Sequence, residues 1–305
     1  MSSQQKAITL NNGYTCPIIG LGTSHNHNEE VVYQSIKDGT RLIDTAAAYN
    51  NEEEVGRAIK KAIDEQIVKR EDLFIITKLN NTEKEDPETA LKNSLKRLQL
   101  NYVDLYLDHW PSFYNYKVPG KYKLIPVEKT WSTMEKLVDL GLTKSIGVSN
   151  YNVQNLLNIL SFCKIKPCFN EVEFHPYLYQ KGLKEFCDKE NIKILSYNPL
   201  IKGNYCSRSE KIIKERNLYL FNEPVVLDLA KVYNKTPGQI ILNWHIHIGV
   251  IPIPGTKNPN RMKENLGATD FIMKEEEYEK LSSFEDKQYR FCEISEIVQI
   301  SRYEN

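Results

Sequence analysis

The sequence predicts an α/β fold, a (β/α)8 TIM barrel with an N-terminal β-hairpin and a C-terminal extension, on three observations. Eight short apolar or β-branched runs recur along the 305 residues, each followed by an amphipathic stretch. No Gly-, Pro- or Ser-rich linker and no break in composition divides the chain, which argues for one barrel domain over 1–305 instead of two domains. The first strand-to-helix turn, Gly20-Leu21-Gly22-Thr23-Ser24-His25, opens like G-x-G-x-x-G but lacks the third glycine. The runner-up, an open doubly wound sheet, therefore loses its dinucleotide fingerprint, and no Walker A sequence replaces it.

The elements follow in order. Residues 7–10 and 14–18 flank Asn11-Asn12-Gly13, a turn suited to a β-hairpin that plugs the barrel floor. The eight barrel strands are expected at 18–23, 42–46, 74–79, 103–109, 145–150, 168–174, 192–198 and 249–255. After Asn50 and Asn51 come three glutamates, where a helix N-terminus favours negative charge, and then Val55, Ala58, Ile59, Ala62 and Ile63 on one stripe. Asp86-Pro87 starts a helix that buries Leu91, Leu95 and Leu98, and the helix through Trp131, Met134 and Val138 stops at Gly141. Thr236-Pro237 and Asn258-Pro259 each open another, the second ending near Gly267. Long connections after strands four and seven, and the run of about 50 residues beyond strand eight, are expected to shape a binding site.

Composition excludes several function classes. Forty Lys and Arg balance forty Asp and Glu, so nothing draws the chain toward nucleic acid or anionic lipid. No apolar run approaches the ~18–20 residues of a membrane span, and the first twenty residues lack a signal-peptide core, so a cytoplasmic protein is expected. Six cysteines without C-x-x-C spacing read as reduced thiols. His25 with His27, and His245 with His247, lack a third ligand, so no metal is expected.

Reactive groups of such a barrel sit at the C-terminal ends of its strands. There stand Asp44 with Tyr49 after strand two, Lys78 on strand three and His109-Trp110 after strand four. Each charge closes a strongly apolar strand, so mutual pairing of Asp44 and Lys78 is the least costly arrangement. A tyrosine that works as a proton donor or acceptor near neutrality must become more acidic by roughly 4 kcal/mol, and a nearby ammonium acts in that direction. His109 would steer a carbonyl oxygen toward Tyr49.

With these residues in view the chain resembles the aldo-keto reductase superfamily over nearly its whole length. The resemblance rests on Gly20-Leu21-Gly22-Thr23, Asp44-Thr45-Ala46 with Tyr49 to Gly56, Thr77-Lys78, Asp104 to Leu107 with His109-Trp110-Pro111, Gly147-Val148-Ser149-Asn150, Val172-Glu173 with His175-Pro176-Tyr177-Leu178, and Ile253-Pro254 with Arg261, Glu264 and Asn265. It implies an NADP(H)-dependent reductase of aldehydes or ketones, monomeric, with Asp44, Tyr49, Lys78 and His109 as catalytic residues and hydride leaving the nicotinamide. By matching positions Ser149 and Asn150 hold the carboxamide, Tyr197 stacks on the ring, Arg261 faces the 2′-phosphate, and Glu264 and Asn265 lie near the adenine. Gly22, Thr23, Asp44, Glu171, Asn198, Leu200, Thr256 and Lys257 complete the implied cofactor set. Ser24, Tyr49, Asn80, His109 and Trp110 form the implied substrate wall.

Three departures qualify the resemblance. Glu171 stands where the family usually has glutamine; a carboxylate only accepts hydrogen bonds, and its charge should favour the oxidised, cationic ring. Gly255 replaces a lysine that often follows the strand-eight proline, leaving Lys257 as the nearest cation, so preference for NADPH over NADH is less secure. Ser24 and Asn80 replace tryptophans, which suggests a wetter pocket for short or hydroxylated, sugar-derived aldehydes. Two other classes compete. A glycoside hydrolase would pair Asp108 with Glu171 or Glu173 but leaves Lys78 and Tyr49 without a task. A dinucleotide sensor with vestigial catalysis would bind NADPH and leave it unconsumed.

Overall fold

The Asn11-Asn12-Gly13 turn folds as its composition predicts. Strands β1 (Ala7–Thr9) and β2 (Thr15–Pro17) pair antiparallel with Ile8 opposite Cys16, and Gly13 takes φ 87°, a conformation that a Cβ would strain. The computed structural model describes residues 5–111, 125–201, 207–284 and 287–292. Parts of the long connections after strands four and seven, Cys206, and the end of the C-terminal extension lie outside the described residues.

Eight parallel strands follow in sequence order around one sheet: β3 (Leu21–Gly22), β4 (Leu42–Asp44), β5 (Phe74–Leu79), β6 (Val103–Asp108), β7 (Thr143–Ser149), β8 (Phe169–Glu173), β9 (Lys193–Tyr197) and β10 (Val250–Pro252). The first and last meet. Gly20 N–H donates to the Pro252 carbonyl at 3.1 Å and Gly22 N–H to that of Pro254 at 3.2 Å, so the sheet closes into the (β/α)8 barrel. A Cβ at Gly22 would stand 2.7 Å from the Ile253 carbonyl oxygen, so the seam closes only over a bare backbone. Both seam strands are shorter than the sequence suggests. Ile18 N–H is taken by Lys6 of the hairpin, and Pro252 and Pro254 have no N–H to extend a ladder.

The helices are α1 (Glu29–Lys37), α2 (Glu52–Asp64), α3 (Pro87–Leu98), α4 (Val127–Asp139), α5 (Val153–Leu160), α6 (Lys181–Lys189), α7 (Ser207–Glu215), α8 (Pro224–Tyr233), α9 (Pro237–His247), α10 (Pro259–Leu266) and α11 (Glu275–Ser282). The predicted stripe of α2 is buried except for Ile63, which is half-buried. Asp86 caps α3 by accepting from Thr89 N–H, Thr236 and Gln239 form a capping box on α9, and Gly141 takes φ 70° just past α4.

Two apolar layers result. Ile43, Ile75, Tyr106, Ile146, Val148, Val172 and Ile194 face outward to the helices. Leu42, Ile76, Leu105, Leu107, Phe169, Leu195, Ile251 and Ile253 fill the barrel, with Leu10 and Cys16 of the hairpin region closing its floor. Among the described residues no helix is long and apolar enough to cross a membrane.

Candidate active site

Period two along a strand carries each inward apolar row to a polar group at its C-terminal end. Leu42 is followed on the same face by Asp44, Ile76 by Lys78, Leu107 by His109, Phe169 by Glu171, and Leu195 by Tyr197. Asp44, His109, Glu171 and Tyr197 line a cleft of about 760 Å³ together with Gly22, Ser24, Tyr49, Asn80, Trp110, Ser149 and Asn150, and Lys78 is buried behind Asp44 and Tyr49. The alternation that keeps the barrel dry below therefore makes its mouth polar.

Lys78 is the hub. Its ammonium is fully buried and pairs directly with the Asp44 carboxylate, as the sequence predicts. It also donates to the Thr45 carbonyl at 3.1 Å and to the Tyr49 hydroxyl at 3.3 Å, and lies 3.4 Å from Glu171 Oε1. Tyr49 reaches this position from a one-turn 3-10 helix (Ala47–Tyr49), its N–H held by the Ala46 carbonyl at 3.0 Å. Behind that turn Asn51 accepts from Thr45 Oγ1 at 2.7 Å and donates to the carbonyls of Thr23 and Asn26, each at 2.8 Å. Glu52, buried at the start of α2, accepts from Thr77 Oγ1 at 2.6 Å and pairs with Arg97. The tyrosine loop is thus tied to two strands and to α3.

The electrostatics correct one expectation. The ammonium does act to acidify Tyr49, but burial, the largest influence, together with the charge of Asp44, holds the phenol above its ordinary range. In the resting protein Tyr49 is a protonated phenol. Burial disfavours the Lys78 ammonium, yet the Asp44 carboxylate paired with it outweighs that penalty and keeps Lys78 charged. His109 is held well below the usual imidazole value by burial and by the ammonium groups of Lys78 and Lys84, so it is neutral at pH 7. Its ring stands edge-on to Tyr49, with centroids 5.7 Å apart, and stacks on Trp110 at 6.4 Å.

Sequence reading missed what holds His109. Lys84, buried just past the turn after β5, pairs with Asp108 at 2.6 Å and donates to the Trp110 carbonyl at 2.5 Å. Tyr151 donates to Asp108 Oδ2 at 2.7 Å, and Asn150 Nδ2 donates to the His109 carbonyl at 3.0 Å. His109 and Trp110 are therefore clamped from the loops after two strands, β5 and β7. Asp108 faces outward into this brace, which uses the carboxylate that a glycoside hydrolase would need. The available signal was Asp108, a carboxylate closing a strongly apolar strand, whereas the polar run 80–88 gave no mark that singled out Lys84.

Several of the residues matched to cofactor positions also line the cleft. Ser149 donates to the Glu171 carbonyl at 2.9 Å, Asn150 Nδ2 donates to Ser149 Oγ at 3.0 Å, and Tyr197 donates to Asn150 Oδ1 at 2.8 Å, which sets the tilt of its ring. Asn198 donates to Glu173 Oε1 at 2.8 Å, and the backbone N–H groups of Phe291 and Cys292 donate to Glu173 Oε2, so one buried carboxylate pins the C-terminal segment against the cleft. That segment supplies Phe291 and Cys292 to the lining, and His25 and His27 line the other side. None of these four was expected at the site, although the extra length beyond strand eight was expected to reach it.

Other matched residues lie away from the cleft. Thr23 is buried, its hydroxyl bonded to the Asp44 carbonyl at 2.9 Å, and Leu200 packs on the apolar core. Thr256 donates to the Asn258 carbonyl at 3.1 Å, and Lys257 is exposed beside it. On α10 Arg261 is exposed, with no side-chain partner among the described residues, and Asn265 is buried. The Glu264 carboxylate accepts from Thr236 at 2.6 Å, so it is engaged with the start of α9. Asn258 caps α10 by accepting from Asn260 N–H, leaving exposed cations just inside a helix N-terminus.

Comparison with known proteins gives one answer. The model of the aldo/keto reductase family matches residues 14–286. The chain is 39% identical over 292 residues to aldo-keto reductase family 1 member A1-A of Danio rerio, covering 91% of this chain and 89% of that one. It is 36% identical over 307 residues to the NADH-dependent D-xylose reductase of Candida parapsilosis, covering 94% of each. Among solved structures, the Bombyx mori aldo-keto reductase in complex with NADP superposes with a TM-score of 0.87 at 34% identity, covering 96% of this chain and 97% of that chain.

Proposed function

The chain belongs to the aldo/keto reductase family, and from that premise we propose that it reduces an aldehyde or ketone to an alcohol with NADPH, Tyr49 delivering the proton. One observation carries the reading: a single buried ammonium, Lys78, touches both the Asp44 carboxylate and the Tyr49 hydroxyl at the mouth of the barrel, beside a neutral His109.

The residues present fit a dinucleotide. Glu171 Oε2 is buried at the cleft without a hydrogen-bond partner among the described residues, and the bare backbone at Gly22 leaves room for close approach. Ser149, Asn150 and Glu171 would hold the nicotinamide amide, Tyr197 would flank the ring, and Arg261 with Lys257 would meet a 2′-phosphate. When bound, NADPH supplies the hydride. The rest is this chain's work. Tyr49 donates a hydrogen bond to the substrate carbonyl oxygen, and neutral His109 can donate a second from its ring N–H. As negative charge develops on that oxygen, the phenolic proton transfers to it, and the tyrosinate left behind is stabilised by Lys78. Asp44 and the Thr45 carbonyl keep the ammonium from following the proton.

The substrate class is a short hydroxylated aldehyde. Ser24, His25, His27, Asn80 and Asn81 give the cleft lining a largely polar part beside the indole of Trp110, and relatives carry the names D-xylose reductase and aldose reductase. The test is NADPH consumption by the purified protein with D-xylose, glyceraldehyde and a long alkyl aldehyde. Tyr49→Phe should keep NADPH binding and lower kcat on the order of 10²–10⁴-fold. Undiminished turnover in that variant overturns the assignment, and higher specificity for the alkyl aldehyde overturns the substrate class.

A further inference from the structure

Two carboxyl groups, Asp44 and Glu171, face one ammonium, Lys78, in a cluster where all three side chains are at most 3% exposed. With both carboxyls ionised the cluster would hold a net negative charge away from water, a costlier state than one proton shared between them. The geometry says where that proton sits. Asp44 pairs directly with the ammonium, whereas Glu171 Oε1 stands at 3.4 Å and its Oε2 is buried without a partner among the described residues. Asp44 therefore carries the charge and Glu171 the proton. We propose that Glu171 is the residue that sets this protein's preference between reduced and oxidised dinucleotide: as a neutral acid it leaves the nicotinamide pocket uncharged, and on releasing its proton to solvent it makes the pocket anionic and favours the cationic, oxidised ring.

The inference rests on the nicotinamide lying at this wall, as in the functional reading above. It changes what the sequence alone suggests, since the carboxyl is a permanent charge only if it is ionised. Burial, and after it the charge of Asp44, push the Glu171 carboxyl up to about 8. The groups facing it are Asp44 of β4, Tyr49 of the 3-10 turn, Lys78 of β5 and Ser149 of β7, with Tyr197 of β9 farther along the wall. Both phenols are held above their usual range by burial, Lys78 stays charged, and His109 stays neutral. Glu171 is thus the member of this cluster that changes charge near neutral pH. His25, His27 and Cys292 also line the cleft, and Glu171→Gln retains all three.

The experiment is a fluorescence titration of the full chain with NADPH and with NADP+, from about pH 6 to about pH 9.5, for wild type and Glu171→Gln. The ratio of the two affinities cancels titration of the phosphates, which both forms carry. In wild type the preference for NADP+ should rise on the order of tenfold across this range. In the variant the ratio should be flat. A flat wild-type ratio, or the same slope in both proteins, overturns the inference while leaving the reductase reading intact. Failure of either dinucleotide to bind at any pH overturns that reading and this inference together. Infrared spectroscopy of unliganded wild type supplies a second measurement: the band of a buried neutral carboxyl should fade as pH rises past about 8, and its absence at pH 6 also overturns the proposal.

Discussion

At the scale of single residues, the site is governed by how many charges are buried relative to how many are paired. Burial is the largest reason that Tyr49 stays protonated despite touching the Lys78 ammonium, and the charge of Asp44 adds to it. Burial of a second carboxyl beside the pair of Asp44 and Lys78 also acts on stability. Folding raises the Glu171 carboxyl from an ordinary 4.5 to about 8, so between those values the folded protein binds more protons than the unfolded chain. The stability that Glu171 contributes is full below the lower value and is lost as pH rises through the window. Glu171→Gln, which has no proton to lose, should therefore gain in Tm relative to wild type as pH increases from about 4.5 to about 8 and hold that gain above it. Thermal melts of both proteins across the range would check this, and a gap that shrinks with pH would contradict it.

At the scale of elements, each strand end is useful only because a neighbouring loop fixes it. The His109-Trp110 pair follows β6 but is held by Lys84 from the loop after β5 and by Tyr151 and Asn150 from the turn after β7. Lys84→Met would leave Asp108 buried and unpaired, and removing one partner of such a pair destabilises by about 3–5 kcal/mol. Adding Asp108→Leu removes the stranded charge and should return most of that stability. If the brace also positions His109, kcat/KM stays depressed in the double variant. Recovery of both stability and turnover would make the pair purely structural. Glu173 is a comparable fixture, since it draws the Phe291-Cys292 segment onto β8 and thereby finishes the cleft wall.

At the scale of the whole molecule, barrel closure decides whether any of these ends converge. The seam between β3 and β10 rests on two backbone hydrogen bonds past prolines and on the missing side chain of Gly22. Gly22→Ala should lower stability by about 1–3 kcal/mol through overpacking against the Ile253 carbonyl, read as a fall in Tm. It should also weaken dinucleotide binding, because Gly22 borders the cleft. An unchanged Tm would mean that the seam yields without strain.

Much of this was legible in the residue order. Eight apolar runs alternating with helix-spaced stretches specify strands and crossover helices, and strict alternation within β4, β5 and β6 already places Asp44, Lys78 and His109 on one side of the sheet and Asp108 on the other. Capping residues such as Asp86 and Thr236 mark helix starts because their effect is confined to one turn of backbone. Protonation states and long-range clamps were not legible. The state of Tyr49, the proton on Glu171 and the hold of Lys84 on Trp110 all depend on how close groups from separate strands approach and how little water reaches them. Pattern along a chain specifies the face a side chain takes, whereas desolvation and through-space charge arise only once the barrel has closed around it.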